Sequence, residues 1–127
     1  MSGQAVLLLL GLFFGHFLGD FTHLATARMH NAKANGGPLF DIAGHAAVHG
    51  ILVGLVVALL AAPAWTIILG AVVIELVTHF GLDAARARLG RRYSALNDPR
   101  GRTFWYVLGF DQFAHGLVLV ALAAIVL

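Results

Sequence analysis

Apolar residues run in four long blocks along the chain, at residues 4 to 25, 43 to 62, 66 to 85 and 104 to 127, with polar sequence between them. At about 1.5 Å of rise per residue, each block predicts a helix able to cross a hydrocarbon core of roughly 30 Å. Only Pro63, Ala64 and Trp65 separate the second block from the third, so these two helices must form a tight antiparallel hairpin. The other connections are longer and polar; residues 28 to 41 contain an Asn-Gly-Gly-Pro breaker, and residues 86 to 102 are rich in arginine. The pattern predicts an all-α fold: an integral membrane four-helix bundle in up-down-up-down order, forming one membrane domain over residues 1 to 127.

Each block is broken by a pair of polar residues four apart. The first carries His16 and Asp20, the second His45 and His49, the third His79 and Asp83, and the fourth Asp111 and His115. Residues four apart lie about 40° apart around an α-helix, so each pair shares a face. The pairs come late in the first and third helices and early in the second and fourth, which in an up-and-down bundle brings all four to one end. Glu75 precedes His79 by four residues and extends that stripe one turn deeper.

Composition fits a membrane protein: 60% of the 127 residues are hydrophobic and 11% charged. The absence of cysteine excludes disulfides and thiolate metal sites. The pI near 9.7 gives no case for nucleic-acid binding, because all the basic residues lie in the two long connections: Arg28 and Lys33 in one, Arg86, Arg88, Arg91, Arg92, Arg100 and Arg102 in the other. The positive-inside rule then places both connections in the cytoplasm and both termini outside; attraction of anionic lipid or substrate is a second use for the same charges. No Lys or Arg precedes the first block, which His16 and Asp20 interrupt, so it reads as a retained helix and not as a cleaved signal. Gly11, Gly15 and Gly19, with Gly50 and Gly54, allow close helix approach. Trp65, Trp105 and Tyr106 fall near helix ends and suit the membrane interface.

Four of the six acidic residues, Asp20, Glu75, Asp83 and Asp111, lie inside the proposed spans. Each costs about 2.5 to 3.5 kcal/mol at mid-membrane on an insertion scale, so each needs partners. Histidine–carboxylate hydrogen bonding alone can supply them. The alternative is metal: imidazole and carboxylate suit zinc first, then iron or manganese, and eight ligands exceed what one ion needs. His16, Asp20, His45, His49, His79, Asp83, Asp111 and His115 therefore form a candidate ligand set for two divalent transition-metal ions about 3.5 to 4 Å apart. The logic is that of helix-bundle di-metal sites, although those use mainly glutamate. His23 and His30 lie nearer the interface and are expected to be surface polar residues.

With these residues in view, the chain resembles a bacterial inner-membrane family catalogued as domain-of-unknown-function family 3307. The resemblance rests on HFLGDF at 16 to 21, HAAVH at 45 to 49, HFGLD at 79 to 83 and DQFAH at 111 to 115, and covers nearly the whole chain. It implies a bacterial inner-membrane location, a place for Gln112 in the motif, and a match of Lys33 to a lysine common after the first helix. One turn beyond Asp20, where the family pattern implies glutamine, this chain has Leu24 beside His23. A weaker resemblance, by size and His/Asp-rich helices, is to membrane-bound proteins described as metal-dependent hydrolases.

Three functions follow as expectations. The first is a metal-dependent hydrolase acting on a lipid or lipid-linked ester or phosphoester in the cytoplasmic leaflet, with Asp20, Asp83 or Glu75 as general base and the loop arginines drawing in the anionic group. The second is a metal carrier or transporter, which needs a route through an outer half that has no ionisable side chain at residues 5 to 12, 51 to 62, 67 to 74 and 116 to 127. The third is a haem-binding or accessory subunit of a larger membrane complex. A bundle this small also leaves room for homo-oligomers.

Overall fold

The structure, a computed structural model, describes residues 2 to 127. Its elements in chain order are α1 (Gly3–Phe21), α2 (Ala27–Asn35), α3 (Leu39–Leu60), α4 (Trp65–Arg92), a single 3-10 turn (Ser94–Asn97) and α5 (Arg102–Val126). The four long helices α1, α3, α4 and α5 are long and apolar enough to cross a membrane. The helix ends differ from the predicted ones for local reasons. α1 stops at Phe21, short of residue 25, because the Thr22 hydroxyl donates back to the Leu18 carbonyl and Thr26 caps a new helix by accepting from Met29 N. α3 starts at Leu39, ahead of residue 43, directly after Pro38, with Asp41 in its positively polarised first turn. α4 runs past residue 85 to Arg92, with Arg91 and Arg92 in its last turn against the negative end of the helix dipole. Hydropathy ends before the helix does.

The main departure is α2. The first long connection was predicted without a helix, yet nine of its residues form one, closed by Gly36 at φ 69° and ψ 42°, where a side chain would be strained.

The glycines show how the long helices run. A Cβ at Gly11 would meet Leu60 and Val56, at Gly15 Leu52 and Val56, and at Gly19 His49, so α3 descends as α1 rises. Gly50 faces Val72 and Leu76, and Gly54 faces Val72, which makes α3 and α4 antiparallel as their short turn requires. Phe13 lies against Gly116 and His16 against Gln112, so α5 is antiparallel to α1. With α4 packed on α5, the four helices close into a ring in up-down-up-down order.

The bundle has two unlike halves. Near the termini its interior is apolar, filled by Leu8, Leu12, Val53, Val57, Ala71, Leu119, Leu122, Ala123 and Val126. Toward the long connections the interior holds ten buried polar or charged side chains, and along the whole bundle Phe14, Phe17, Ile51, Leu55, Leu59, Val77, Phe110 and Phe113 face outward. Apolar outside and polar inside is the arrangement expected in lipid, where burial separates charge from hydrocarbon. α2 and the 3-10 turn cover the polar end.

Candidate metal centre

The four pairs meet at that end. His16 and Asp20 from α1, His45 and His49 from α3, His79 and Asp83 from α4, and Asp111 and His115 from α5 are all buried, none more than 8% exposed. Ring centroids of His49 and His79 are 3.8 Å apart, those of His79 and His115 4.2 Å, and those of His16 and His49 4.9 Å. The shared level read from the sequence is present.

Asp20 anchors one half of the cluster. Its Oδ1 lies 2.9 Å from His45 Nε2 and 3.3 Å from His49 Nε2, the first aligned as a hydrogen bond and the second only close. Its Oδ2 accepts from Gln112 Nε2 at 2.7 Å. That bond orients the amide so that Gln112 Oε1 faces His16 Nε2 at 3.2 Å and accepts a hydrogen bond from it. His16 Nδ1 is then an unpartnered buried lone pair. Gly19 makes the packing possible: a Cβ there would stand 2.5 Å from the His49 ring.

Asp83 anchors the other half. Its Oδ2 is 3.4 Å from His79 Nε2 and 3.7 Å from His45 Nε2, and its Oδ1 is 3.6 Å from His115 Nε2. His79 Nδ1 donates to Glu75 Oε1 at 3.1 Å, and His115 Nδ1 donates to the Asp111 carbonyl at 2.8 Å. With Nδ1 engaged outward, both rings turn Nε2 toward the Asp83 carboxylate. Acceptors facing acceptors in a buried space repel unless a cation or proton lies among them. Nε2 of His49, His79 and His115 and Oδ2 of Asp83 have no hydrogen-bond partner among the described residues.

Three donor groups have ligand atoms within 4.8 Å of one another: His16, His49, Glu75 and His79; Asp20, His45, His49 and His79; and His79, Asp83 and His115. These buried clusters could hold a metal ion, and outward hydrogen bonding of the ligating imidazole is the usual way such rings are oriented. Of the eight expected ligands, Asp111 alone belongs to none of these groups, while Glu75 joins one.

Asp111 has another partner. Lys33 reaches in from α2, its Nζ 2.7 Å from Asp83 Oδ1 and 3.0 Å from Asp111 Oδ2, with the side chain only 16% exposed. Burial opposes its charge, but Asp83, Asp20 and Asp111 outweigh burial and raise the ammonium above its ordinary pKa. No periodicity marks Lys33, because it lies on the covering helix; the family resemblance was its only signal. Gln112, which the resemblance also placed in the motif, is invisible to periodicity for a related reason, being off the i, i+4 stripe of α5 and turned toward α1. Arg86 is also buried, donating to Leu96 O at 3.0 Å and to Asn97 Oδ1 at 3.2 Å, and so ties α4 to the 3-10 turn. His23 and His30 are exposed and lie outside all three donor groups, although the His30 ring comes within 6.5 Å of His45.

Comparison with curated proteins and with solved structures gave no match. A family model does match, over residues 8–127, nearly the whole chain; its description is Protein of unknown function (DUF3307), and the chain belongs to that family.

Proposed function

We propose that the cluster is a divalent transition-metal centre, zinc in preference to iron or manganese, and that the protein is a membrane-embedded hydrolase of a lipid or lipid-linked ester or phosphoester. The observation that carries the metal reading is the convergence of Nε2 of His79 and His115, neither with a hydrogen-bond partner, on the buried Asp83 carboxylate, at 3.4 and 3.6 Å. His16, Asp20, His45, His49, His79, Asp83 and His115 supply the ligand atoms, from which one or two ions draw. All three donor groups contain His79, so two ions must divide the set around that ring. When bound, such an ion supplies Lewis acidity toward a carbonyl or phosphoryl oxygen and toward water.

The chain's own residues divide the remaining work. Asp20, held by Gln112 and His45, and Asp83, held beside Lys33, are the carboxylates placed to take a proton. Glu75 points its carboxylate at His79 Nδ1 and holds that ring in place. A lipid substrate is supported by a cavity of about 410 Å³ at the same end of the bundle. Its lining combines apolar Leu39, Ile42 and Phe80 with cationic Arg88 and Arg91. Its α4 residues Phe80 and Ala84 directly follow His79 and Asp83 in the chain.

A carrier needs a polar path through the other half, and there the interior is filled by Leu8, Leu12, Val53, Val57, Leu119 and Leu122. Haem needs a slot for its macrocycle, and imidazoles stacked at 3.8 Å leave none. The basic connections, both at the polar end, support a cytoplasmic position for the centre and an external one for both termini. The hydrolase is tested by reconstituting zinc-loaded protein into vesicles of anionic phospholipid and following release of acyl or phosphoryl product. Turnover that chelation and Asp83→Ala both abolish supports it; metal-loaded protein inert on lipid esters and phosphoesters alike overturns it.

A further inference from the structure

Lys33 is the only lysine of the chain. It is held in the site and not draped over it. α2, which carries it, is capped at both ends by Thr26 and Gly36. Asn97 Nδ2 donates to Asn35 Oδ1 at 3.2 Å and to Gly90 O at 3.1 Å, linking α2, the 3-10 turn and α4. Gly90 lies against the Ala34 carbonyl with no space for a side chain between them. Fixing a lysine side chain costs roughly 1.5 to 2 kcal/mol of rotamer entropy, and burying its charge costs more, so paired carboxylates must offset both.

We propose that the Lys33 ammonium is a built-in cation of the centre, holding the position between Asp83 and Asp111 that a second divalent ion would otherwise take, so that the protein binds one exchangeable ion. The inference rests on the metal reading above. Three observations carry it. Lys33 Nζ bridges Asp83 Oδ1 and Asp111 Oδ2 at 2.7 and 3.0 Å, as an ion between two carboxylates would. Asp111, engaged by that ammonium, is absent from every donor group. Asp83 is divided, with Oδ1 toward the fixed cation and Oδ2 toward His79 Nε2 at 3.4 Å.

Asp20, Glu75, Asp83 and Asp111 bring four negative charges when ionised. Lys33 with one divalent ion leaves one negative charge and with two leaves one positive, whereas a site without the lysine balances with two divalent ions, so the lysine stands in for part of the second ion's charge. A lysine, unlike a metal, cannot be lost to chelation or exchange. It keeps Asp111 neutralised in a medium that solvates carboxylates poorly, and an ammonium hydrogen beyond those directed at Asp83 and Asp111 is free for an anionic oxygen.

The test is metal stoichiometry on the full chain in detergent, stripped with chelator, reloaded with excess zinc and desalted. The native protein and Lys33→Arg retain one zinc per chain, and Lys33→Met, which keeps the bulk without the charge, retains two. Two zinc ions in the native protein, or one in folded Lys33→Met, overturns the inference while leaving the metal centre standing. No zinc in any of the three removes the metal centre and this inference together. A second measurement needs no variant: acylation of the Lys33 amine, read on its own peptide by mass spectrometry. Lys33 stays protected to the same degree before and after zinc loading; protection lost on loading shows that the ion displaces the ammonium, and overturns the inference.

Discussion

Glu75 Oε1 accepts a hydrogen bond from Nδ1 of His79 at 3.1 Å, one turn away on the same helix, and so decides that His79 turns Nε2 toward Asp83. Both are almost wholly buried, at 2% and 1% exposure, so no water substitutes for either partner. In a metal centre this is an orienting contact, whose loss typically lowers affinity by about 10- to 100-fold. Glu75→Leu is expected to weaken zinc binding by that factor while the protein stays folded, and Glu75→Gln, which still accepts a hydrogen bond, by less. Competition with a chromophoric chelator measures it. Equal affinity in Glu75→Leu and native protein would remove Glu75 from the centre.

Gly19 gives a steric prediction. A methyl at this position would stand 2.5 Å from the His49 ring, and His49 cannot retreat because it stacks on His79 at 3.8 Å. Gly19→Ala is expected to destabilise the bundle by about 1 to 3 kcal/mol and to lower metal retention together with stability. Thermal unfolding in detergent reads the first and metal analysis the second. Gly70→Ala, with nothing within 4 Å of the added carbon, is the control.

Much of this arrangement is written in the sequence in two periods. Apolar runs long enough to span lipid gave the four helices, and polar pairs at i, i+4 placed eight side chains on their inward faces at one level. What periodicity could not reveal lies off those faces. α2 is nine residues long and polar, so hydropathy passes over it, although Thr26 before it and Gly36 after it are ordinary helix boundaries. Lys33 acts through the placement of that helix over the bundle, a tertiary fact with no local signature. Gln112 sits next to Asp111 and therefore about 100° around α5, where it meets Asp20 and His16 and not the stripe. The α4 boundary shows the converse: alanine, leucine and arginine continue the helix past the point where sequence is apolar enough to predict it.

Metal retention is expected to fall on acidification. Imidazole binds a metal only when neutral, its ordinary pKa is about 6.5, and several of the ligands are histidines, so protons compete for the site as pH drops. Zinc held at about pH 8 should be released below roughly pH 6, with a midpoint that moves down as free zinc is raised. Dialysis at graded pH followed by elemental analysis checks both. A midpoint independent of zinc concentration would indicate unfolding and not ligand competition.

Topology is testable on its own. The start of α1 and the end of α5 lie at the apolar end, and all the basic residues lie at the polar end, in α2, the last turns of α4, the segment after it and the first residue of α5. Reporter fusions at the two ends are expected to report from outside the cytoplasm, and a reporter in the Tyr93–Pro99 segment from within it. Cytoplasmic signals from both ends would invert the orientation and put the centre at the other leaflet.

The most direct measurement of the central claim is the metal content of detergent-purified protein, native and altered at the cluster. The account predicts bound zinc or another divalent transition metal in the native chain, a clear loss in His45→Ala and Asp83→Ala, and no change in His23→Ala, which alters an exposed residue outside the donor groups. Metal loading should raise the unfolding temperature of the native chain and leave Asp83→Ala unmoved. Native protein that takes up no metal, with a stability indifferent to chelator, would make the cluster a histidine–carboxylate hydrogen-bond network and contradict the account.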